Sequence, residues 1–255
     1  MAKSGGKQTN SLIRIADVLK TGDRLNTGEK GVAEIDLPGL KVAVCAIPAG
    51  MQGGDFYGVI DLKENCIAVF LGDIAGHDFS SSILATSVMK TIEENQEGMI
   101  QPHLFLRSMN RKLYRSLSSV GRFFTAAIAI INVASGVVSI SSAGHPPALL
   151  KDSLNGGVEP LMLRAMPLGF EREQTFSILR RDFYPGSKLL MYTDGVSGAR
   201  NAEREEFGQK RLETLMNRAG DGAKSLVRRI ITAHDEYSRG GPETDDRTII
   251  CIESK

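Results

Sequence analysis

The sequence predicts an α+β fold with antiparallel sheets, and three observations predict it. Strand-like apolar runs come in blocks, between residues 40 and 71 and again between 123 and 192, instead of alternating one for one with helices. Helical periodicity is also grouped: two stretches at 79–94 and 103–118 lie between the blocks, and two more precede the last strand. Neighbouring strand runs are joined by turn-length segments, Lys63-Glu64-Asn65, which reads as a hairpin turn, and Val133-Ala134-Ser135.

Taken in order, residues 1–36 hold lysines, glycines and one short apolar stretch at 12–19. They are expected to form an N-terminal extension, flexible or regulatory, with one or two helical turns. The folded domain is expected over 37–255. It opens with strands at 40–47, 56–62 and 66–71. At 79–94 the period changes: Leu84, Val88 and Ile92 recur four apart with Ala85 and Met89 beside them, the stripe of a core-facing helix that Gly98 and Pro102 end. The helix at 103–118 sets Leu106, Met109, Leu113 and Leu117 on one side, and Arg107, Arg111 and Arg115 on another that reads as a solvated face. Strands follow at 123–132, 136–141, 148–151, 176–179 and 188–192, then helices at 208–218 and 223–237, the second capped by Asp221. A strand at 247–253 closes the domain.

A chain of 255 residues with 42% apolar content can bury one large core or two small ones. Its net charge of +1 leaves no electrostatic footprint for nucleic acid or an anionic membrane, so a protein or small-molecule substrate is expected. Cys45, Cys66 and Cys251 lie widely spaced in apolar runs and read as buried thiols. With no signal-peptide pattern and no apolar run of membrane-spanning length, the expected location is cytoplasmic.

The chemistry concentrates in four aspartates: Asp55 in Gly53-Gly54-Asp55-Phe56-Tyr57, Asp73 in Gly72-Asp73-Ile74-Ala75-Gly76-His77, Asp194 in Tyr192-Thr193-Asp194-Gly195, and Asp245 in Thr244-Asp245-Asp246-Arg247-Thr248. Three of the four contexts have a plain reading alone. Asp55 suits a turn, Asp73 a strand end, and Asp245-Asp246 a solvated loop. All four, however, stand where an apolar run meets a glycine or a short polar turn, so a shared cleft could gather them into a cage for two divalent cations. Hard cations prefer oxygen ligands, and paired ions serve phosphoryl chemistry, so hydrolysis of a phosphate ester is the leading expectation. Gly220-Asp221-Gly222-Ala223-Lys224-Ser225 lacks the spacing of a phosphate loop, and no Gly-x-Ser-x-Gly element offers a nucleophile. His145, between Gly144 and Pro146, reads as a turn former, while His103 and His234 read as helix residues without partners.

Further segments join these: Leu37-Pro38-Gly39-Leu40, Phe123-Phe124-Thr125-Ala126, Ser142-Ala143-Gly144-His145-Pro146-Pro147, Met166-Pro167-Leu168-Gly169 and Phe207-Gly208. In this order the set resembles the metal-dependent protein serine/threonine phosphatases of the PPM (type 2C) superfamily, in their SpoIIE/RsbU branch, over residues 36–253. The resemblance implies a four-layer α-β-β-α sandwich with two Mn2+ or Mg2+ ions at one edge. It implies that Asp73 bridges both ions, that Asp55 and the Ile74 carbonyl hold one, that Asp194 and Asp245 hold the other, and that Asp246 stands beside them. Asp55, Asp73 and His77 are the catalytic candidates, His77 as donor of a proton to the leaving oxygen. The implied substrate is a phosphorylated regulatory protein, an anti-sigma-factor antagonist or similar partner-switching protein, with a regulator acting in trans. Two departures from the branch pattern, Gly58 and Asp78, motivate the alternative of a catalytically impaired binding module, Gly58 because it stands where a carboxylate near the metals is usual. A two-metal nuclease or nucleotide hydrolase is a further rival, which near-neutral charge disfavours.

Overall fold

The structure, a computed structural model, describes residues 12–13, 31–49, 53–75, 79–218, 220, 222–242 and 245–255. In chain order its strands are Leu12–Ile13 (β1), Ala33–Leu37 (β2), Leu40–Ile47 (β3), Asp55–Asp61 (β4), Cys66–Ile74 (β5) and Phe124–Asn132 (β6). Val137–Ala143 (β7), Ala148–Lys151 (β8), Val158–Leu161 (β9), Leu179–Asp182 (β10), Lys188–Tyr192 (β11) and Arg247–Ser254 (β12) complete them. The helices are Phe79–Glu94 (α1), Pro102–Ser118 (α2), Asp194–Ser197 (α3), Gln209–Asn217 (α4) and Ala223–Tyr237 (α5), with a 3-10 turn at Gln96–Ile100.

All pairs between these strands are antiparallel. One sheet has the order β1-β4-β5-β6-β7-β10 and the other β2-β3-β12-β11-β8-β9. Strand alternation sorts the side chains into layers. On β5, Ile67, Val69 and Leu71 meet Val42, Val44, Leu189, Met191, Ile250 and Ile252 between the sheets. The intervening Ala68, Phe70 and Ile74 pack under Val88, Ile92, Leu106 and Met109 of α1 and α2. On the far side, Cys45, Leu190, Tyr192 and Ile249 pack under Leu212, Leu226, Val227 and Ile230 of α4 and α5. Three apolar interfaces thus make the four-layer sandwich. The three cysteines form no disulfide and are buried in them.

Helices and strands with strong local patterns lie where the periodicity puts them. The weakly patterned ones differ. β2 begins at Ala33, inside the expected extension, and pairs with β3 from Ala33↔Val44 to Leu37↔Leu40. Leu12–Ile13 pairs with β4 as a strand and not as part of the expected helical turn; residues 14–19 of that stretch lie outside the described residues. β10 lies three residues beyond the expected 176–179 and is a polar edge strand, its Arg181 paired with Glu159 of the other sheet's edge strand β9. Within the expected arginine row, Arg111 pairs with Glu173 on the surface.

The expected cap of α5, Asp221, lies outside the described residues, and the observed cap comes from elsewhere: Glu253 Oε2 accepts the Ala223 N–H at 2.9 Å. Glu253 also pairs with Lys188 Nζ at 3.0 Å, with side-chain exposures of 18% and 8%. Removing one partner strands the other inside the protein, so Glu253→Ala is expected to cost about 3 kcal/mol of unfolding free energy in urea titrations. Lys188→Met in that background is expected to recover most of the loss.

Candidate active site

Strand parity decides which way each carboxylate faces. Asp73 continues the Ile67, Val69, Leu71 face of β5, and Asp55 shares its parity with Tyr57 and Val59, so both side chains turn toward the space between the sheets. The register of β4 and β5 sets Asp55 directly opposite Asp73. Both are half-buried at the rim of the sandwich. Asp73 is inside β5, which runs on to Ile74, and is not the terminator of a strand ending at Leu71.

The second sheet reaches across to Asp55. Thr193 continues the Leu189, Met191 parity of β11, and Thr248 the Ile250, Ile252 parity of β12. Thr248 Oγ1 donates to Asp55 Oδ2 at 2.7 Å, and Thr193 Oγ1 stands 3.0 Å from the same oxygen. Thr193 Oγ1 in turn accepts the Thr248 N–H at 2.9 Å. Asp55 Oδ1, in contrast, is buried with no hydrogen-bond partner. Both threonines stand inside the aspartate motifs, and the motifs alone give them no role. The signal that finds them is the parity of the apolar residues beside them.

Asp194 opens α3 directly after Thr193, and Asp245 precedes β12. Both are exposed and line an open cleft of about 350 Å³ with Arg200 and Pro242. The two turns touch through their backbones. A Cβ on Gly195 would stand 2.1 Å from the Asp246 carbonyl oxygen, so only glycine fits there.

Asp246 is built differently. Its Oδ1 accepts the Ala49 N–H at 2.7 Å and its Oδ2 the Gly54 N–H at 2.6 Å, and a Cβ on Gly53 would fall 2.6 Å from that carboxylate. It anchors the segment between β3 and β4. Ile74 is stitched to the same segment by its N–H, 3.3 Å from the Gly54 carbonyl, and its side chain is buried in the helix-facing core. His77 and Asp78 lie outside the described residues.

Known proteins share this arrangement of sheets and helices. Residues 63–255 match the family model of Stage II sporulation protein E (SpoIIE). The chain belongs to the SpoIIE family. Phosphoserine phosphatase RsbP of Bacillus subtilis (strain 168) is 23% identical over 205 residues, 79% of this chain and 49% of RsbP, so the chain spans about half the length of that relative. The SiaA-PP2C domain of Pseudomonas aeruginosa superposes with a TM-score of 0.75 at 18% identity, covering 84% of this chain and 86% of that one. RsbX in complex with magnesium superposes with a TM-score of 0.67 at 15% identity, covering 88% of this chain and 100% of RsbX. The fold is that of the PP2C phosphatase domains.

In this SpoIIE-family site the carboxylates raise one another's affinity for protons. Burial, against the Thr248 hydrogen bond and with the nearby charge of Asp73, pushes the Asp55 carboxyl up to about 8. Burial and the charges of Asp194, Asp245 and Asp246 push Asp73 up to about 7. Asp194 is exposed as a residue, but the desolvation of its carboxyl in the cleft, then the charge of Asp245, raises it as well. Hard oxygen donors, mutual repulsion and the unpartnered Asp55 Oδ1 fit a divalent cation. Among the described residues no three carboxylate, imidazole or thiolate groups converge closely enough to hold an ion by themselves. The donors share one rim and are spaced apart along it.

Two expectations from the sequence change here. At Gly58, the position of the carboxylate expected near the metals, a Cβ would meet the Phe70 ring at 2.5 Å, on the helix-facing side of β4 and away from Asp55. His234 does have partners: it is 1% exposed and hydrogen-bonded at both ring nitrogens. His145 shares a hydrogen bond of 2.8 Å between its Nδ1 and Thr125 Oγ1, and burial lowers it to about 3, so it stays neutral near pH 7.

The raised carboxyls make a stability prediction. Between 3.8 and the raised values near 7 and 8 the folded protein holds protons that the unfolded chain releases, so the contribution of Asp55 and Asp73 falls as pH rises. His145, lowered from 6.5 to about 3, and His234, lowered chiefly by burial, act in the opposite sense, and that opposing slope is already halved at pH 6.5 and fades above it. The metal-free protein is therefore expected to lose melting temperature between pH 6.5 and pH 8, and added Mn2+ to restore it at pH 8. A melting temperature that is level across this interval refutes the coupling.

Proposed function

We propose that this SpoIIE-family domain is a metal-dependent protein serine/threonine phosphatase that hydrolyses phosphoserine or phosphothreonine on a regulatory protein. The observation that carries the reading is that Asp73, register partner of Asp55 in one sheet, feels the charges of Asp194 and Asp245 beside the strands of the other. Family membership supports it, as do a relative named a phosphoserine phosphatase and a like-folded RsbX in complex with magnesium. Two divalent cations, Mn2+ or Mg2+, held by Asp55, Asp73, the Ile74 carbonyl, Asp194 and Asp245, would supply Lewis-acid chemistry that acidifies water and offsets charge on the phosphoryl oxygens.

The chain's own groups do the positioning. The Thr193 and Thr248 hydroxyls hold Asp55 Oδ2 and leave Oδ1 without a hydrogen-bond partner, the oxygen that would be open to a cation. Asp73, its register partner, would share in holding the cations. Gly195 lets the Asp194 turn close on the Asp245 turn. Asp246, with both oxygens engaged by backbone N–H groups, holds the Asp55 approach in place and acts from behind the ligands. His77 is assigned the proton that the leaving serine or threonine oxygen takes up. The substrate is assigned to the class of anti-sigma-factor antagonists and similar partner-switching proteins, in the cytoplasm, with regulation delivered in trans. No helix among the described residues is long and apolar enough to cross a membrane. Gly58, turned toward Phe70, no longer argues for an impaired adaptor.

Mn2+-dependent hydrolysis of p-nitrophenyl phosphate and of a phosphoserine peptide tests this reading. Asp73→Asn is expected to lower kcat/KM by about a thousandfold, ~4 kcal/mol of transition-state stabilisation, without loss of fold. Asp246→Asn is expected instead to reduce stability by about 1–3 kcal/mol through its lost backbone contacts, with a smaller effect on turnover of the folded fraction. Wild-type protein that turns over neither substrate with Mn2+ or Mg2+ would favour the binding-module alternative.

A further inference from the structure

We infer that His234, on α5, is a positioning residue that ties the Asp194 turn to the Asp245 turn from behind the site. The inference rests on the metal-dependent reading above. His234 Nδ1 lies 3.0 Å from Arg247 Nη1, and its Nε2 lies 3.4 Å from the Gly195 carbonyl oxygen. An arginine N–H can only donate, so Nδ1 accepts, and the ring proton sits on Nε2 facing the Gly195 carbonyl. Arg247 Nη1 also donates to Asp235 Oδ1 at 2.8 Å, which fixes the guanidinium against α5.

Each partner is adjacent to a carboxylate of the site. Gly195 follows Asp194, and Arg247 is two residues beyond Asp245. The parity of β12 explains how one strand serves both sides: Thr248 points between the sheets to Asp55, while Arg247 points the other way, to α5. The ring itself is held by Phe207, with centroids 5.4 Å apart, and is almost wholly buried. The two turns are therefore gripped on opposite faces, by Thr193 and Thr248 in front and by His234 behind. The separation of Asp194 from Asp245 depends on where α5 places this imidazole. A donor and an acceptor on one rigid ring fix it, and an apolar side chain of similar volume does not.

Calorimetric titration of MnCl2 into the full chain tests the inference, because binding is read without turnover. His234→Leu fills the volume while removing both hydrogen bonds, and His234→Gln keeps one donor and one acceptor. His234→Leu is expected to weaken Mn2+ binding about tenfold or more, as loss of outer-shell support does, with kcat on p-nitrophenyl phosphate at saturating Mn2+ within about threefold of wild type. His234→Gln is expected to recover most of the affinity. A His234→Leu protein that binds Mn2+ as tightly as wild type overturns the inference even if it melts earlier, since His234 is then only structural. Should His234→Leu fail to fold, Arg247→Met, altered at the strand end instead of inside the core, is read by the same criterion. Wild-type protein that binds no Mn2+ overturns the metal reading, and the inference with it, which separates that failure from a silent His234 variant.

Discussion

Asp55 and Asp73 are register partners on adjacent antiparallel strands, so two like charges face each other at close range on a half-buried rim. Cross-strand pairs of this kind are destabilising unless something offsets the repulsion. The second sheet offsets part of it by sending two threonine hydroxyls to one oxygen of Asp55, while burial above all, and then the charges of Asp73 on Asp55 and of Asp194, Asp245 and Asp246 on Asp73, raises the affinity of both carboxyls for protons. The site follows from that constraint. A rim that concentrates uncompensated oxygen donors is one where a divalent cation gains most by binding.

The apolar layers make such a rim tolerable. Three interfaces, one between the sheets and one under each helical layer, carry the stability, so the strand ends need not contribute to it. Local fit then decides the details. Gly195 has no room for a side chain against the Asp246 carbonyl, and Gly53 none against the Asp246 carboxylate. The turns that present Asp194 and Asp245 are thereby pressed together, and the segment leading into Asp55 is pinned by the residue next to Asp245. Asp246 is held by the Ala49 and Gly54 N–H groups, and His234 meets Arg247 and the Gly195 carbonyl.

Family membership and site geometry bear on function from different directions. The SpoIIE family match covers most of the chain, while the likeness to solved structures, at 15–18% identity, speaks for the PP2C fold. The carboxylates speak for the chemistry that fold would carry. Gly58 shows how the two are reconciled: it departs from the branch pattern, yet its position lies under Phe70, on the face of β4 that Asp55 does not share.

Much of the fold is legible in the sequence because its strongest elements are locally patterned. The α1 and α5 helices and the strands β3, β8 and β11 lie at the expected residues, since an apolar period of 3.6 or 2 is a property of a short window. β2, β9 and β10 escape such a window because they are short, charged or proline-bearing edge strands, held by pairing to a neighbouring strand. Composition, spacing and family motifs are enough to single out Asp55, Asp73, Asp194 and Asp245 as the candidate site residues. Tertiary structure alone decides that Asp246 anchors a loop, that Thr193 and Thr248 hold Asp55, and that His234 has partners. Those roles are set by which groups meet across the sandwich, 39 residues apart for His234 and Gly195 and 193 for Thr248 and Asp55, and no local pattern encodes a hydrogen bond over such separations.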